Sequence, residues 1–365
     1  NKRSFCIFES HFLFSYVFCI SRLNRSAKVE LDFLKQARME TFYVFSIIVA
    51  LVGVVLKLYY MVAQFGALGW AELIVAKRMD DWNGDDLLQI PFYVRQMGSY
   101  TSIVAYLTVW LLVIMSISEK KNRRILRILL IVHLMFTFVD GMLSGSKAPI
   151  LGIIMLFAVS FFFVFYAKRG NFNLSRKFFV RGLVVLVVLA SLFRGLSMVI
   201  GRNVSERSNW DLLAEYCGAE IKNFDLYLQQ NSKRRNSAIW GENTFHSFYS
   251  EINPNFEREN GEFQYVGDYI LGNVYTQFRP FHEDFGIVGI FTMCFFIAFI
   301  SMFFYSRSTC AFIEPTKINV YVFIYASIAM SIFMSFFSSR FTESICRMGW
   351  IRSSIYLVVL VWFVK

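Results

Sequence analysis

Four side chains suited to acid–base and phosphate chemistry lie close together in this 365-residue chain: Arg279, His282, Glu283 and Asp284. They directly precede an apolar run that begins at Phe285. A histidine or a carboxylate can act as general base, and an arginine can bind phosphate through its planar fork of donors. His282 is a candidate general base or orienting donor, and Arg279 is a candidate to stabilise a leaving phosphate. Asp284 also has a structural role open to it, because a carboxylate stabilises the start of a helix.

The chain around this cluster has the composition of a membrane protein. It is 56% hydrophobic and 17% charged, with a mean hydropathy of +0.48, and a spanning helix needs about 20 mostly apolar residues. We therefore predict an all-α polytopic membrane protein with about nine visible spans. The predicted spans are Ser4–Ile20 (the weakest), Thr41–Ala63, Gly98–Ser118, Ile125–Leu143, Pro149–Ala167, Gly182–Ile200, Phe285–Ser306, Ile318–Ser338 and Ile351–Lys365. The chain begins at Asn1 without a methionine, and we expect further spans before it.

The positions of lysine and arginine predict which ends of the spans face the cytoplasm. Basic residues are concentrated at 22–38, 120–127 and 168–181 and recur at Arg307 and Lys317, and such loops are typically cytoplasmic. The net charge of +11 is then explained by topology and contact with anionic lipid, so no nucleic-acid partner is predicted. The long polar stretch is extracytoplasmic in this interpretation. It divides the chain into N-terminal spans (1–200), a large outer loop (201–284) and C-terminal spans (285–365).

Cations also occur in the predicted outer stretches, where topology does not require them. They are Lys147, Arg194, Arg202, Arg279, Arg340, Arg347 and Arg352. Several cations gathered at one membrane face can bind a phosphate or pyrophosphate group. Each can instead extend to a lipid phosphate, which is the alternative for any one of them.

Two segments of the outer stretch have patterns that predict structural elements. Residues 209–230 repeat apolar side chains at helical spacing and predict an amphipathic helix that packs on the membrane domain or lies on its surface. Its predicted apolar stripe is Trp210, Leu213, Tyr216, Cys217, Ile221, Phe224 and Leu228. The aromatic segment Trp240–Ile252 can form a platform for sugar rings or simply pack as a loop. The six cysteines have no metal-binding spacing and imply no disulfide framework.

Three places in the sequence resemble bacterial O-antigen and capsular polysaccharide polymerases, the Wzy-type oligosaccharide repeat-unit polymerases. They are the turn Ser144–Lys147, the opening Gly201–Arg202 of the outer stretch, and Gly272–Thr276 with its continuation through Asp284 to Gly289. The hydropathy profile, with its Phe-rich spans, is similar to that family over nearly the whole chain. Lys147 departs from the family's pattern, where arginine is more usual, and lysine cannot bind phosphate in a bidentate manner.

The resemblance implies a membrane glycosyltransferase that uses a lipid donor. Such an enzyme transfers a growing glycan from undecaprenyl pyrophosphate to a new lipid-linked repeat unit on the outer face of the bacterial plasma membrane. Pyrophosphate binding is assigned by this resemblance to Arg202, Arg279, Lys147, Arg194 and Tyr275. The acceptor hydroxyl needs a base, for which His282, Asp284 and Glu283 are the candidates. The resemblance further implies membrane lipid, a chain-length regulator and a flippase as partners, and no cofactor.

Two other functions fit the same architecture. An O-antigen ligase would deliver the glycan to a different lipid. A transporter or lipid-linked oligosaccharide flippase would be expected to place polar residues within its spans and to show internal repeats. Here Asp140 and His133 are the main polar residues in the spans between Gly98 and Ile200, whereas most polar residues lie outside. This distribution favours the polymerase.

Overall fold

The computed structural model describes residues 36–83, 87–117, 124–145, 148–169, 209–229, 239–253, 256, 264–266, 269–272, 274–308 and 318–364. The predicted spans Ser4–Ile20 and Gly182–Ile200 lie outside the described residues. The predicted phosphate ligands Lys147, Arg194 and Arg202 lie outside them as well.

The described chain is mostly helical, with one short two-stranded antiparallel sheet. In chain order the elements are α1 (Gln36–Phe65), α2 (Trp70–Asn83), α3 (Phe92–Ile117), α4 (Arg124–Met142), α5 (Ala148–Arg169), α6 (Asn209–Gln229), α7 (His246–Ile252), β1 (Gln264–Val266), β2 (Tyr269–Gly272), α8 (Phe278–Ser308), α9 (Val320–Phe333) and α10 (Met348–Val364). Between α9 and α10 the chain forms a 3₁₀ turn at Met334–Phe336 and a π-helical turn at Phe341–Ile345.

Five of the described helices are long and apolar enough to cross a membrane. They are α1, α3, α4, α5 and α8. The predicted count of nine spans is not confirmed. The predicted span Ile318–Ser338 is a helix only from Val320 to Phe333, followed by the 3₁₀ turn. The α-helix and the turn together form an apolar helical segment, Val320–Phe336, that is shorter than the five.

Helix α3 lies at the centre of the described helices. Its most apolar window is 61% buried, against 22–33% for the other four spanning helices. Leu107, Trp110 and Ile114 of α3 are fully enclosed and pack in one core with side chains of α1, α4, α5, α9 and α10. A helix that is apolar on every face is stable only when other helices surround it or when lipid does, and α3 is surrounded by helices.

Helix α8 has the opposite environment and exposes large apolar side chains along its length. They are Ile287, Val288, Phe291, Phe295, Phe296, Phe299, Met302 and Phe303. A continuous apolar surface of this size is rare on proteins that face water. It fits a helix that contacts lipid.

The helices bring particular residues to one end of the bundle. Gly98 at the start of α3 lies next to Asp140 at the end of α4, and Gln277 before α8 donates its backbone N–H to the carbonyl of Ser335 after α9. We call this the site end; it also carries the turn at residues 143–145. The other end, called the basic end, carries Arg38, Arg124 and Arg307.

Candidate functional site

The predicted chemical cluster lies on a helix, although the sequence placed it in a loop. Helix α8 begins at Phe278 rather than at Phe285, and it is interrupted at Gly286, which has φ 68° and ψ −162°. That backbone conformation is essentially restricted to glycine. Phe281 in the first segment of α8 is fully buried, and burial of so large an apolar side chain stabilises that segment. The helix therefore fixes the directions of the four polar side chains.

Arg279 is held in position by three neighbours. Its Nε donates a 2.8 Å hydrogen bond to Oε1 of Glu283, one helical turn later. Its guanidinium carbon lies 3.8 Å from the centre of the Tyr275 ring and 5.2 Å from that of Tyr227. Among the described residues neither Nη atom makes a hydrogen bond, and neither is fully enclosed. The Nη donors are thus free to bind an anion at a fixed place.

His282 lies one turn of helix from Arg279 and shares its face. Its Nδ1 is 3.0 Å from the hydroxyl oxygen of Tyr227, whose ring meets the imidazole edge-on at 5.7 Å. The His282 side chain is half-buried, and Nε2 has no hydrogen-bond partner within the described residues. If Nδ1–H donates to Tyr227, Nε2 presents its lone pair, which is the form that a general base needs.

Asp284 does not join Arg279 and His282. Two residues along a helix is a rotation of about 200°, so Asp284 is on a face different from that of His282. One of its carboxylate oxygens accepts hydrogen bonds from the backbone N–H of Asn243 (3.2 Å) and from Nδ2 of Asn243 (2.9 Å), and the other accepts from the N–H of Thr244 (2.6 Å). Asp284 therefore fastens the turn at residues 239–245 to helix α8.

Helix α6, from the first part of the long polar stretch, supports the cluster. The predicted helix is confirmed, with bounds Asn209–Gln229. Of its predicted apolar stripe, Phe224 is buried, whereas Ile221 and Leu228 are exposed. The side chains of the other stripe residues, Trp210, Leu213, Tyr216 and Cys217, lie outside the described part of the chain. The buried face instead includes Asn223, whose Nδ2 donates to the backbone carbonyl of Val274 at 2.8 Å, and Tyr227. Over this part of the helix the buried face thus combines the polar anchor Asn223 with Phe224 and Tyr227.

The aromatic segment after α6 presents one large ring to the surface. Trp240 is 72% exposed, and its ring lies 5.0 Å from that of Phe285 and 5.9 Å from that of Phe245. The adjoining Gly241 has φ 68°, and a Cβ there would lie 2.8 Å from the Phe245 ring. An exposed aromatic ring that packs against two other rings in this way can stack on a sugar.

The structure also places basic residues that were not predicted from the sequence beside Asp140. Nζ of Lys57, in α1, lies 2.9 Å from Oδ1 of Asp140 and 3.2 Å from its backbone oxygen. Lys57, Lys77, Arg95 and Asp140 line a cavity of about 530 Å³ at the site end. A lysine within an apolar run such as Leu51–Tyr60 was the signal, because charges inside spans are costly and commonly functional.

The structure brings together four of the predicted site residues: Tyr275, Arg279, His282 and Glu283. It adds Tyr227, which was not predicted and which contacts both Arg279 and His282. Oε1 of Glu283 accepts from Arg279 and forms an ion pair with it, and the Asp284 carboxylate binds Asn243 and Thr244. His282 is the candidate base that lies outside both of these interactions. Among the described residues no group of three or more His, Cys, Asp or Glu side chains is arranged to hold a metal. Comparison of the chain with protein families, with characterised proteins and with solved structures finds no match.

Proposed function

We propose that the protein is a membrane glycosyltransferase that polymerises undecaprenyl-pyrophosphate-linked oligosaccharide repeat units into O-antigen or capsular polysaccharide. The observation that carries the proposal is the pairing of Arg279 and His282 on one helical face at the mouth of a span, joined by Tyr227. This pairing supplies an anion ligand beside a base, and the sequence resemblance described above supplies the substrate class. We place the reaction on the outer face of the bacterial plasma membrane, with the site end outside.

The proposed step is a displacement at the anomeric carbon of the donor glycan. A hydroxyl of the acceptor's non-reducing-end sugar attacks that carbon, and its proton passes to Nε2 of His282. The bond between the anomeric carbon and the pyrophosphate oxygen breaks, and undecaprenyl pyrophosphate leaves with the bonding electrons. The Nη donors of Arg279 neutralise the charge that develops on this leaving group. No redox partner or metal is required for the balance of atoms and charge.

The remaining predicted residues take supporting roles in this proposal. Glu283 and Tyr275 hold the Arg279 guanidinium in place, and Arg202, Arg194 and Lys147 add positive charge around the pyrophosphate. The exposed ring of Trp240 supports the proposal by offering a surface for a sugar of the glycan. Membrane lipid, a chain-length regulator and a flippase are the proposed partners.

The function is tested by the surface glycan of cells that lack the protein, resolved on a gel. We expect loss of long polymer while a single repeat unit is still attached to its lipid, and recovery when the gene is returned. Loss of all surface glycan with lipid-linked units trapped inside the cell would show a flippase. Lipid-linked polymer that is made but not transferred would show a ligase. Either result would overturn the proposal.

Arg279→Ala is expected to slow polymerisation about 10²–10³-fold, because removal of one donor that stabilises a developing charge typically has this effect. The measurement is the rate of polymer formation by purified protein from lipid-linked repeat units. Arg279→Lys keeps the charge but loses the planar fork of donors, so its rate should lie between those of the natural protein and of Arg279→Ala.

Arg307→Ala is the matched control. Arg307 also lies over an aromatic ring, at 5.5 Å from Phe303, but it is at the basic end of the same helix. Its replacement should leave the rate unchanged. A full rate for Arg279→Ala would remove the role that we assign to this residue.

A further inference from the structure

Residues 240–253 form a compact segment, called the strap, that joins the start of α8 to the start of α10. Its two halves are tied to each other, because the Tyr249 hydroxyl donates to the backbone oxygen of Trp240 at 2.8 Å. The rings of Trp240 and Phe245 stack at 5.9 Å, and the N–H of Asn253 donates to the backbone oxygen of Tyr249. A loop that is packed by its own side chains in this way can move as one unit.

One attachment of the strap is buried. The Asp284 carboxylate of α8 accepts three hydrogen bonds from Asn243 and Thr244, and Asp284 is only 8% exposed. The Thr244 hydroxyl also donates to the backbone oxygen of Pro280 at 3.2 Å. Hydrogen bonds to a charged group are stronger than those between neutral groups, and water competes little for them at a buried site. This attachment is therefore the strong one.

The other attachment of the strap is exposed to water. Oε1 of Glu251 accepts from Nε of Arg347 at 3.0 Å, and Oε2 accepts from the backbone N–H of Met348 at 2.7 Å, at the start of α10. The Glu251 and Arg347 side chains are 23% and 52% exposed. Exposed ion pairs contribute little to stability, because water and salt weaken them. The strap is therefore easier to release at Glu251 than at Asp284.

The strap lies against the wall of a cavity. Helix α7, which belongs to the strap, packs against the π-helical turn Phe341–Ile345. Ser344 and Ile345 of that turn line a cavity of about 220 Å³, together with Trp350 in the first turn of α10. Glu251 thus fastens the strap beside the two elements that wall this cavity. A π-helical turn is rare and is often found at functional sites.

We propose that the strap is a gate to this smaller cavity, hinged at Asp284 and latched at Glu251. Release of Glu251 from Arg347 and Met348 lets α7 move away from the π-helical turn, while the hydrogen bonds to Asp284 persist. The turn then loses the helix that supports it, and the cavity opens at the site end. The gate depends only on the contacts of the strap, so it stands whether or not the proposed function is correct.

Hydrogen exchange of the purified full chain tests the hinge and the latch. Glu251→Ala removes both bonds of the latch, and we expect the backbone N–H groups of the π-helical turn Phe341–Ile345 to exchange about tenfold faster. Loss of an exposed ion pair and one hydrogen bond shifts an opening equilibrium by about this factor. The N–H groups of Asn243 and Thr244 should exchange as they do in the natural protein, because Asp284 still holds them.

Lys222→Ala is the matched control for the latch. It removes an exposed ion pair elsewhere in the chain, that with Asp225 at 2.8 Å, and should leave exchange in the π-helical turn unchanged. Unchanged exchange in this turn for Glu251→Ala would overturn the latch. Equal acceleration at the hinge would overturn the hinge, because the strap would then be unfolding as a whole.

Access to the cavity is measured at Ser331, which lines it and is 4% exposed. Ser331→Cys changes the size of the side chain little, and its reaction with a small polar thiol reagent is followed by peptide mass spectrometry. The reaction should be about tenfold faster when Glu251→Ala is added. Ser160→Cys is the matched control: Ser160 is fully buried and lines neither this cavity nor the 530 Å³ one, so its reaction should stay slow. Equal rates at position 331 with and without Glu251→Ala would overturn the gate.

Discussion

His282→Asn is expected to slow polymer formation about 10²–10⁴-fold, the range over which a positioned general base typically contributes. Asparagine places an amide close to the position of Nδ1, so the hydrogen bond with the hydroxyl of Tyr227, 3.0 Å in the natural protein, can be kept. What the substitution removes is Nε2. Folding should therefore be preserved while the rate falls, and the measurement is again polymer formed from lipid-linked repeat units.

Asp284→Asn provides the contrast within the same turn of helix. The Asp284 carboxylate accepts three hydrogen bonds from Asn243 and Thr244. An asparagine in its place has one acceptor oxygen and one NH₂ group, so the NH₂ group would lie against N–H groups that also donate. We expect the free energy of unfolding to fall by about 1–3 kcal/mol, with an activity loss that follows the loss of folded protein. If Asp284→Asn instead folds normally and loses all activity while His282→Asn keeps its rate, the base is Asp284 and our assignment is reversed.

Gly289→Ala is expected to destabilise the protein by about 3 kcal/mol or more, because it forces atoms into occupied space. A Cβ at this position would overlap Cβ of Phe285 and lie 2.8 Å from the backbone oxygen of Phe281. These neighbours are close because the kink at Gly286 folds the chain back on the first segment of α8. Relief would require that segment to move, and Arg279 and His282 would move with it.

The measurement is the thermal unfolding midpoint of the purified protein, followed by the fraction that remains monodisperse. Gly218→Ala in α6 is the matched control, because a Cβ there meets no atom within 4 Å and the site is exposed. That substitution should be neutral or should stabilise the helix by about 0.5–1 kcal/mol. Equal unfolding midpoints for Gly289→Ala and Gly218→Ala would show that the protein in solution does not keep the backbone kink at Gly286.

The two variants address different properties of the same segment. His282→Asn leaves the position of the helix unchanged and removes a reacting atom. Gly289→Ala keeps every polar group but disturbs the position of the helix that carries them. Activity lost in both, with stability lost only in the second, would show that the function needs both the groups and their placement by α8.

Several elements of the fold could be predicted from the sequence. The predicted membrane-helix class is borne out by the five long apolar helices, and the helix at 209–230 was placed to within one residue at its end. These predictions succeed because they depend on local patterns: length of an apolar run, and spacing of apolar side chains. The number of spans could not be established in this way, since Val320–Phe333 shows that an apolar run can be longer than its helix.

The sequence by itself determined which chemical groups are available at residues 275–284 and that they lie at the end of an apolar run. Only the tertiary structure decided which of them share a face. Arg279 and His282 are together, and Asp284 is turned to the loop at Asn243, because α8 begins before the cluster and a helix rotates about 100° per residue. Tyr227, which contacts both Arg279 and His282, comes from another segment of the chain, and such contacts depend on how helices pack. Adjacent positions in a sequence carry no record of that packing.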